Sequence, residues 1–414
     1  MKTKRIRMVA VALAVGAAAA CDGSSTFLGE SDGGLGPELD TFWSVPLDGG
    51  PDAEPDAGPE AAAWRESTDP WAPPPVPYCE AQWDPMPFDL WADDSGIYVL
   101  TAWERIRPAD GGWFVGEPPV LQISYNGGLG WTEFFRDSCE QFGGGSWGCL
   151  TRIGGVLEGR LLGWGSAGSV YGFEPGMVEP MWSGELYNIG SLFVVDDHLA
   201  YAMWQAGPDS RVVHYDGAGW APVPVALPFE SAAWGRIWAD EEDVFVAGGS
   251  AVLLSLEGDE WRIHDPGTLG ELTAIWGFAG DDVWIGTYDG QLRHFDGTTW
   301  ADVEWPDLDD GTMCNEGKPI LAMWGSDGVL YFITETHFVR WDGTRFDVLG
   351  HWPLRYDDTP GVYQCVGDGI RPVALRGNSP TEVFLLVTRQ VPRLGAYCEG
   401  SAVLWWDGTT LRQI

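Results

Sequence analysis

The sequence predicts an all-β protein built as a β-propeller, and three observations lead to this fold. The chain of 414 residues contains 57 glycines and 29 prolines, which is hard to reconcile with long helices. Hydrophobic residues make up 45% of the chain, which is enough for a large core and excludes wholesale disorder. Short apolar segments followed by a turn glycine recur at intervals of about 40 to 65 residues. Such a period, with four short strands per unit, is typical of propeller blades.

Residues 1–21 predict an export signal. A basic start is followed by an apolar run from Met8 to Ala20 and then by Cys21. The run is shorter than the roughly 20 residues that a transmembrane helix needs. The arrangement resembles a bacterial lipoprotein signal, which implies that Cys21 is diacylated and becomes the first mature residue. Ala18 stands where that family usually has leucine, and ordinary cleavage after Ala20 is the alternative.

Residues 22–78 predict a disordered, acidic spacer between the signal and the folded domain. Glycine, proline, aspartate and alanine dominate, as in the segment 49–59, and basic residues are few. Such a spacer would lift the domain of residues 79–414 off a membrane surface. An untrimmed low-complexity stretch is equally compatible with the composition.

The propeller repeat is clearest at residues 274–300. An apolar inner strand such as 283–285 is expected to be buried between blades. An Asp-Gly or Glu-Gly pair then predicts a tight hairpin, and an aromatic three residues after the glycine, such as Trp300, can pack back across it. The residues before the turn glycines mark the repeats: Asn126, Glu174, Asp216, Glu257, Asp296, Asp342 and Asp407. We therefore predict seven blades, with six or eight as alternatives.

One hairpin allows a resemblance to be stated. Residues 124–131, Ser-Tyr-Asn-Gly-Gly-Leu-Gly-Trp, resemble the Asp-box of BNR-type propellers, Ser-x-Asp-x-Gly-x-Thr-Trp. Asn126 replaces the aspartate of that motif and Gly130 replaces its threonine. Over residues 85–414 the repeats look like those of bacterial β-propeller lipoproteins. The resemblance implies a fold and carries no chemistry.

Five segments are long for a propeller and are expected to emerge on one face, as inter-blade loops or as loops between second and third strands. They are 102–119, 136–150, 306–319, 353–371 and 388–402. Six cysteines remain if Cys21 is lipidated, and an exported protein is expected to pair them. Proximity favours the pairs Cys139 with Cys149, Cys314 with Cys365 and Cys79 with Cys398. Pairing of Cys365 with Cys398 is the rival.

Sequence patterns for catalysis are poor. The stretch 144–148 matches a Gly-x-Ser-x-Gly nucleophile elbow around Ser146, but that elbow needs a strand before it and a helix after it. Sialidases share the Asp-box fold, and Arg105–Pro108 faintly resembles their Arg-Ile-Pro motif. Their chemistry needs an arginine cluster with an acid and a nucleophile, and arginine is scarce in this chain. We therefore expect no enzyme.

Metal binding is also a weak expectation. His214 and His294 occupy the same place in different repeats, too far apart to share a metal, and are interpreted as ordinary strand histidines. One acidic loop offers oxygen ligands for Ca²⁺, although a solvated loop explains it as well. Its candidate ligands are Asp307, Asp309, Asp310 and Glu316.

Aromatic residues are the strongest hint of a binding surface. Most tryptophans recur at blade positions and are assigned to packing: 91, 238, 276, 284, 300 and 324. Five other aromatics lie in the long segments, where they would either stack on sugar rings, anchor a protein or staple the loops. These candidates are Trp103, Trp113, Trp147, Tyr363 and Tyr397.

The sequence thus predicts a non-catalytic binding module for proteins or glycans, lipid-anchored in the bacterial cell envelope. The net charge of −38 would repel nucleic acid. The alternatives are a glycosidase-like enzyme with a site in the central depression, and an envelope assembly scaffold. An enzyme is expected to gather ionisable residues of shifted pKa on the central axis, whereas a binding module is expected to offer aromatics on its loops.

Overall fold

The protein is described by a computed structural model that covers residues 83–414 with gaps. The described ranges are 83–108, 114–138, 150–165, 168–183, 188–205, 210–224, 235–248, 251–258, 260–268, 270–306, 319–352, 354–357, 364–367, 370–393 and 396–414. Seven four-stranded antiparallel sheets form a ring, which is a seven-bladed β-propeller. Within these ranges no helix is long and apolar enough to cross a membrane.

Each blade consists of four consecutive strands, counted outward from the axis. Blade 1 contains β1 (Trp83–Asp93), β2 (Gly96–Pro108), β3 (Phe114–Asn126) and β4 (Trp131–Ser138). Blade 2 contains β5 (Leu150–Leu157), β6 (Arg160–Gly165), β7 (Ser169–Glu174) and β8 (Met177–Ser183). Blade 3 contains β9 (Asn188–Asp196), β10 (Leu199–Gln205), β11 (Arg211–Tyr215) and β12 (Trp220–Pro222). Blade 4 contains β13 (Arg236–Ala239), β14 (Val244–Ala247), β15 (Leu253–Glu257) and β16 (Glu260–His264).

The remaining blades follow the same plan. Blade 5 contains β17 (Leu272–Ala279), β18 (Asp282–Thr287), β19 (Leu292–Phe295) and β20 (Trp300–Asp302). Blade 6 contains β21 (Ala322–Ser326), β22 (Val329–Ile333), β23 (His337–Trp341) and β24 (Phe346–His351). A separate hairpin, β25 (Leu354–Asp357) and β26 (Gln364–Gly367), precedes blade 7. Blade 7 contains β27 (Ile370–Ser379), β28 (Glu382–Arg393), β29 (Ala396–Trp406) and β30 (Leu411–Gln413).

The ring is held together by packing between neighbouring blades. The first strands contact one another in order, from β1 to β27, and β27 contacts β1 in turn. Each hydrophobic cluster joins two adjacent blades. The closing cluster between blades 7 and 1 includes Leu90, Val99, Phe384 and Leu386, all fully buried. Val283, Trp284 and Ile285 are buried too, as the apolar pattern of that inner strand predicts.

The hairpin turns confirm the role assigned to the Asp-Gly pairs. Gly217, Gly297, Gly343 and Gly408 all have φ between +83° and +88°, a range that favours glycine. The glycine is the first central residue of the turn, as in type II′ hairpins. In blade 1 that loop is one residue longer, and the positive φ values belong to Gly128, at +90°, and to Gly130, at +124°.

Three of the predicted long loops contain β-structure; the segment 353–371 includes the hairpin β25–β26, and two others extend blades. In blade 1 the segment 102–119 is largely an extension of β2 and β3, whose pairing continues to Pro108 and Phe114. In blade 7 the segment 388–402 extends β28 and β29 up to the pair Arg393 and Ala396. Long segments satisfy their backbone donors and acceptors best by pairing with each other, and the sequence pattern contains no signal for that. We call the face from which these two extensions emerge the hairpin face.

Candidate functional site

A cavity of about 250 Å³ lies on the axis of the ring and is lined by the first strands of all seven blades. In each first strand we compare two positions that are two residues apart, and every residue at these positions except Trp238 lines the cavity. We call them the upper and lower positions. The upper residues are Asp89, Arg152, Ser191, Arg236, Ala274, Ala322 and Ala374; the lower residues are Trp91, Gly154, Phe193, Trp238, Trp276, Trp324 and Arg376.

The strand pairing supports this alignment. Trp91, Trp276 and Trp324 oppose Tyr98, Trp284 and Tyr331 on their second strands, at matching places in each hairpin. Arg376 opposes Phe384 in the same way. Because first strands run away from the hairpin face, the upper positions lie nearer to that face, and the lower ones lie about 7 Å farther along.

Three arginines and one aspartate meet at this cavity. Asp89, Arg152 and Arg236 occupy upper positions, and Arg376 occupies the lower position that holds tryptophan in four other blades. The side chain of Arg152 is 39% exposed, so the charged part of the cavity is in contact with solvent. The guanidinium of Arg152 lies 4.0 Å from an oxygen of Asp89. The group therefore has an excess of positive charge, in a chain whose net charge is −38.

The carboxylate of Asp89 contacts the backbone of two blades as well as the guanidinium of Arg152. Asp89 is buried, and its two oxygens accept hydrogen bonds from the backbone N–H of Leu90 and of Ile153. The second bond, at 3.2 Å, links blade 1 to blade 2. Ser191 does the same between blades 3 and 4, since its hydroxyl accepts from the N–H of Ile237 at 3.2 Å. Asp89 is thus a blade connector that also places a negative charge beside the arginines.

The arginines are held by backbone carbonyls. Arg236 donates from Nε to Thr273 at 3.1 Å, and Arg376 donates from Nη1 to Leu375 at 2.8 Å. Burial, together with the nearby charges of Arg152 and Arg376, lowers the pKa of Arg236 to about 10, while Asp89 and Glu271 oppose this shift. Burial also lowers the pKa of Arg376. Desolvation and mutual repulsion therefore disfavour these charges as long as nothing balances them.

Aromatic rings, together with aliphatic side chains, form much of the remaining cavity wall. Phe193, Trp276 and Trp324 form a continuous edge, with ring centroids 6.0 Å apart between Phe193 and Trp276 and 6.1 Å apart between Trp276 and Trp324. Trp91 and Trp164 line another part of the wall. The tryptophans 91, 276 and 324, predicted to be packing residues, thus also line the cavity. Charged and aromatic groups share one small space, which suits an anion with an apolar body.

The sequence did not single out these four charged residues. Arginine is scarce overall, yet three of its occurrences converge on the axis. A signal was present in the repeats: the segments 274–277 and 322–325 read Ala-Ile-Trp-Gly and Ala-Met-Trp-Gly, whereas 236–239 reads Arg-Ile-Trp-Ala and 374–377 reads Ala-Leu-Arg-Gly. Arg236 stands where the other three segments have alanine, and Arg376 stands where the other three have tryptophan. Both arginines line the axial cavity.

Some predicted site residues lie on the hairpin face. Trp103 belongs to the extended part of β2, where it pairs with Val120. Tyr397 belongs to the extended part of β29, where it pairs with Pro392. The backbones of Cys398, beside Tyr397, and of Cys365, in β26, are also described, while the side chains of all four lie outside the description.

Other predicted residues lie wholly outside the described ranges. They are Cys21, Cys79, Cys139, Cys149, Cys314, Trp113, Trp147, Ser146, Tyr363, Asp307, Asp309, Asp310 and Glu316. Among the residues that are described, no group of histidine, cysteine, aspartate and glutamate has the arrangement of a metal site.

The two repeat histidines lie in third strands of separate blades. His294 stacks on Trp284, with centroids 4.2 Å apart, and its Nε2 lies 2.7 Å from an oxygen of Asp282. His214 packs beside Tyr201 in blade 3, with ring centroids 6.2 Å apart. Each ring is thus packed against an aromatic residue of its own blade, in a different blade from the other histidine.

Comparison with known proteins supports the propeller fold and identifies no family. No family model and no curated protein matches this chain. Among solved structures, the WD40 β-propeller domain of Doa1 gives a TM-score of 0.50 at 11% identity, covering 76% of this chain and 93% of that one. A GH74 enzyme of Niastella koreensis gives 0.48 at 11% identity, with 79% and 65% covered. BamB from Moraxella catarrhalis gives 0.39 at 13% identity, with 63% and 95% covered. At 11% identity the likeness to the Doa1 domain shows the propeller fold alone.

Proposed function

We propose that this chain is a non-catalytic binding module of the bacterial cell envelope, anchored by a lipid on Cys21, which binds an envelope protein or glycan through its hairpin face. One observation carries the proposal. Blades 1 and 7 are neighbours, and both extend their second and third strands well past those of the other blades. β2 has 13 residues and β28 has 12, whereas β14 has four and β22 has five.

The position of two candidate aromatics supports this face as the binding surface. Trp103 and Tyr397 belong to the two extensions, one in each blade. A pair of adjacent β-ribbons presents side chains at fixed spacing, which favours recognition of a macromolecule over a small solute. Aromatic side chains are the usual anchors of such contacts.

The chemistry of the cavity favours binding over catalysis. Glycoside hydrolysis requires two carboxyl groups on opposite sides of the scissile bond. Among the described lining residues Asp89 is the one carboxylate, and both of its oxygens accept backbone hydrogen bonds. The ionisable residues on the axis are otherwise arginines, which bind anions and do not act as acids or bases at neutral pH. The glycosidase alternative is thus the weaker one.

The binding face is testable in living cells with a photoreactive phenylalanine analogue. Placed at Trp103 or at Tyr397, it should give crosslinked products of defined mass. The control is Met177, which is 56% exposed at the start of β8, directly after the β7–β8 turn on the opposite face. Equal crosslinking at all three positions, or products from Met177 alone, would contradict the proposal.

A second experiment separates a glycan from a protein ligand and tests the anchor. Changing Cys21→Ser should release the protein from membranes into the soluble exported fraction, and retention in the membrane would contradict lipidation. The released protein is then applied to an array of envelope polysaccharides. Saturable binding that is lost in Trp113→Ala or Trp147→Ala identifies a glycan. Crosslinks without any array signal identify a protein partner, including the assembly-scaffold role.

The cysteine pairs are tested separately. Peptide mapping without reduction should recover Cys139 with Cys149, Cys314 with Cys365 and Cys79 with Cys398. A peptide joining Cys365 with Cys398 would favour the rival pairing. Free thiols at most of the six positions would contradict a disulfide-bonded binding face.

A further inference from the structure

The axial cavity contains more positive charge than the framework needs. Three guanidinium groups line it beside one carboxylate. Only Arg152 has that carboxylate within 4.0 Å; within the described ranges, neither Arg236 nor Arg376 has a carboxylate at that distance. A guanidinium has several N–H donors in a planar fork, and each of these two arginines gives one hydrogen bond to a backbone carbonyl. Donors therefore remain for a ligand.

Maintaining these charges inside the ring is unfavourable. Removing an arginine from water has a cost that a partner anion normally offsets. The lowered pKa of Arg236, about 10, reflects burial together with repulsion from Arg152 and Arg376. In four other blades the lower position has a tryptophan that lines or packs beside the cavity without this cost. An arginine at 376 is thus hard to explain by packing, whereas anion binding explains it directly.

The aromatic wall limits what kind of anion fits. Trp91, Trp276 and Trp324 line the same cavity as the arginines. A cavity of about 150 Å³ is known to accept a molecule of the size of benzene. The axial cavity, at about 250 Å³, therefore has room for a ring or short chain bearing one charged group. Bidentate geometry suits a carboxylate on the arginine forks, and the apolar part would contact the rings.

We propose that the axial cavity binds a small organic carboxylate, with the carboxylate group on Arg236, Arg376 and Arg152 and the apolar body against Trp91, Trp276 and Trp324. This site is independent of the macromolecule bound at the hairpin face. Asp89 reduces the positive charge of the three guanidinium groups, and a bound carboxylate reduces it further. Removal of Asp89 is expected to strengthen anion binding, whereas removal of an arginine weakens it.

The test is calorimetric titration of the purified full-length protein with benzoate. Its neutral isostere benzamide and inorganic phosphate are titrated in parallel. Benzoate should bind and should also raise the unfolding temperature, because a ligand of the native state stabilises it. Arg236→Gln and Arg376→Gln should each weaken benzoate binding about 10- to 100-fold, the range for losing a charge-assisted hydrogen bond.

Two further variants make the test independent of folding defects. Arg262→Gln is the matched control, because Arg262 is an exposed arginine of β16 that pairs with Glu257. The affinity of this variant for benzoate should stay within about twofold of the wild-type value. Asp89→Asn should bind benzoate about tenfold more tightly, because a negative charge next to the guanidinium groups is removed. The amide oxygen of that variant can still accept from Ile153, as the hydroxyl of Ser191 does for Ile237.

The outcomes of this titration are separate from those of the crosslinking experiment at the hairpin face. Absence of benzoate binding, or equal binding of benzamide, overturns the carboxylate site. Binding of phosphate without benzoate overturns the ligand class. Equal weakening by Arg262→Gln also overturns the site, because it would place the anion on the outer surface. None of these results bears on crosslinking at Trp103 or Tyr397, so the two proposals fail separately.

Discussion

His264 lies between blades 4 and 5, where both of its ring nitrogens have partners. Nε2 is 2.7 Å from the hydroxyl of Ser255, and Trp300 donates from its indole N–H to Nδ1 at 3.4 Å. An indole can only donate, so Nδ1 is the acceptor and the proton of the neutral ring is on Nε2. His264 therefore donates to Ser255. It cannot take a proton from that hydroxyl, so the pair is structural and does not form a nucleophile.

The environment of His264 predicts a pH dependence of stability. Burial lowers the pKa of His264, with a smaller contribution from Arg262. The unfolded state then binds a proton more readily than the native state, so stability is present above the ordinary histidine pKa and decreases as pH falls through it. We expect the unfolding temperature to drop between about pH 7.5 and about pH 5.5.

Replacing His264 by glutamine should remove that part of the pH profile. The matched control is His198→Gln, at an exposed turn position, which should leave the profile unchanged. Thermal unfolding followed by circular dichroism across this pH range is the measurement. An unaltered slope in the His264 variant would show that other groups cause the dependence.

The turn aspartates illustrate what is readable from the sequence at this scale. Asp296 accepts hydrogen bonds from the hydroxyl of Thr298 and from the backbone N–H of Thr298 and Thr299, which hold its pKa well below the usual range. Asp342 accepts from the hydroxyl and the N–H of Thr344 and from the N–H of Arg345, and its pKa is lowered to about 2. These bonds join residues that are close in sequence, so a motif predicts them. The axial arginines are far apart in sequence and only the ring unites them, so no local motif could show the cluster.

At the scale of elements, tryptophan and glycine form a joint between neighbouring first strands. A Cβ on Gly277 would lie 2.6 Å from the ring of Trp238, and one on Gly377 would lie 2.7 Å from the ring of Trp324. A Cβ on Gly325 would lie 2.6 Å from the ring of Phe278 and 2.9 Å from Nε1 of Trp276. Each tryptophan thus occupies the space that the missing side chain of the next blade leaves. The Trp-Gly pairs in the sequence mark these joints, although the contact runs between blades and not within one.

The joint predicts a stability cost for a single methyl group. Gly277→Ala should destabilise the protein by about 1–3 kcal/mol, because the new Cβ overlaps the buried ring of Trp238 and forces the strands apart. Gly219→Ala is the control, since a Cβ at that position would have no neighbouring atom within 4 Å and its φ lies outside the left-handed region. Its effect should stay within about 0.5 kcal/mol. Urea unfolding of both variants is the measurement, and equal midpoints would contradict the joint.

The strands of the blades were predictable because their pattern is local. Apolar inner strands, Asp-Gly turns and the aromatic after each turn recur at fixed offsets, as at Phe295 and Trp300, which stack with centroids 5.1 Å apart. The strand extensions in blades 1 and 7 were interpreted as loops, because residues such as Pro118 and Pro119 in β3 favour irregular backbone locally. There the pairing partner, distant in sequence, decides the conformation.

At the scale of the whole molecule, blades 7 and 1 meet through side chains. Each consists of four consecutive strands, so no strand is exchanged between them among the described residues. Their contact is the cluster of Leu90, Val99, Phe384 and Leu386, supported by the side-chain amide of Asn378, which donates to the carbonyl of Asp93 at 3.0 Å. The stability of the ring therefore depends on this packing.

Weakening that contact should open the ring locally. Leu386→Ala should cost about 2–5 kcal/mol, as for other fully buried leucines. Leu254→Ala, in the cluster between blades 3 and 4, is the matched control with a similar cost. Hydrogen exchange should accelerate in blades 7 and 1 for Leu386→Ala and in blades 3 and 4 for Leu254→Ala. Identical exchange patterns would mean that the ring opens at one place regardless of the defect.

The tryptophan–glycine joint also bears on how such a ring can change its number of units. In each joint one blade provides the tryptophan side chain, and the next blade provides the glycine that leaves room for it. A duplicated blade that carries both residues would therefore form the same joint with the blade from which it was copied. Blades 5 and 6 meet this condition, because each has a tryptophan followed by a glycine, at 276–277 and 324–325. Blade 4 has Ala239 after its tryptophan, blade 7 has Arg376 in place of the tryptophan, and blade 2 has Gly154 there. A copy of blade 5 or blade 6 would therefore bring both halves of the joint with it, whereas a copy of blade 2, 4 or 7 would bring one half only.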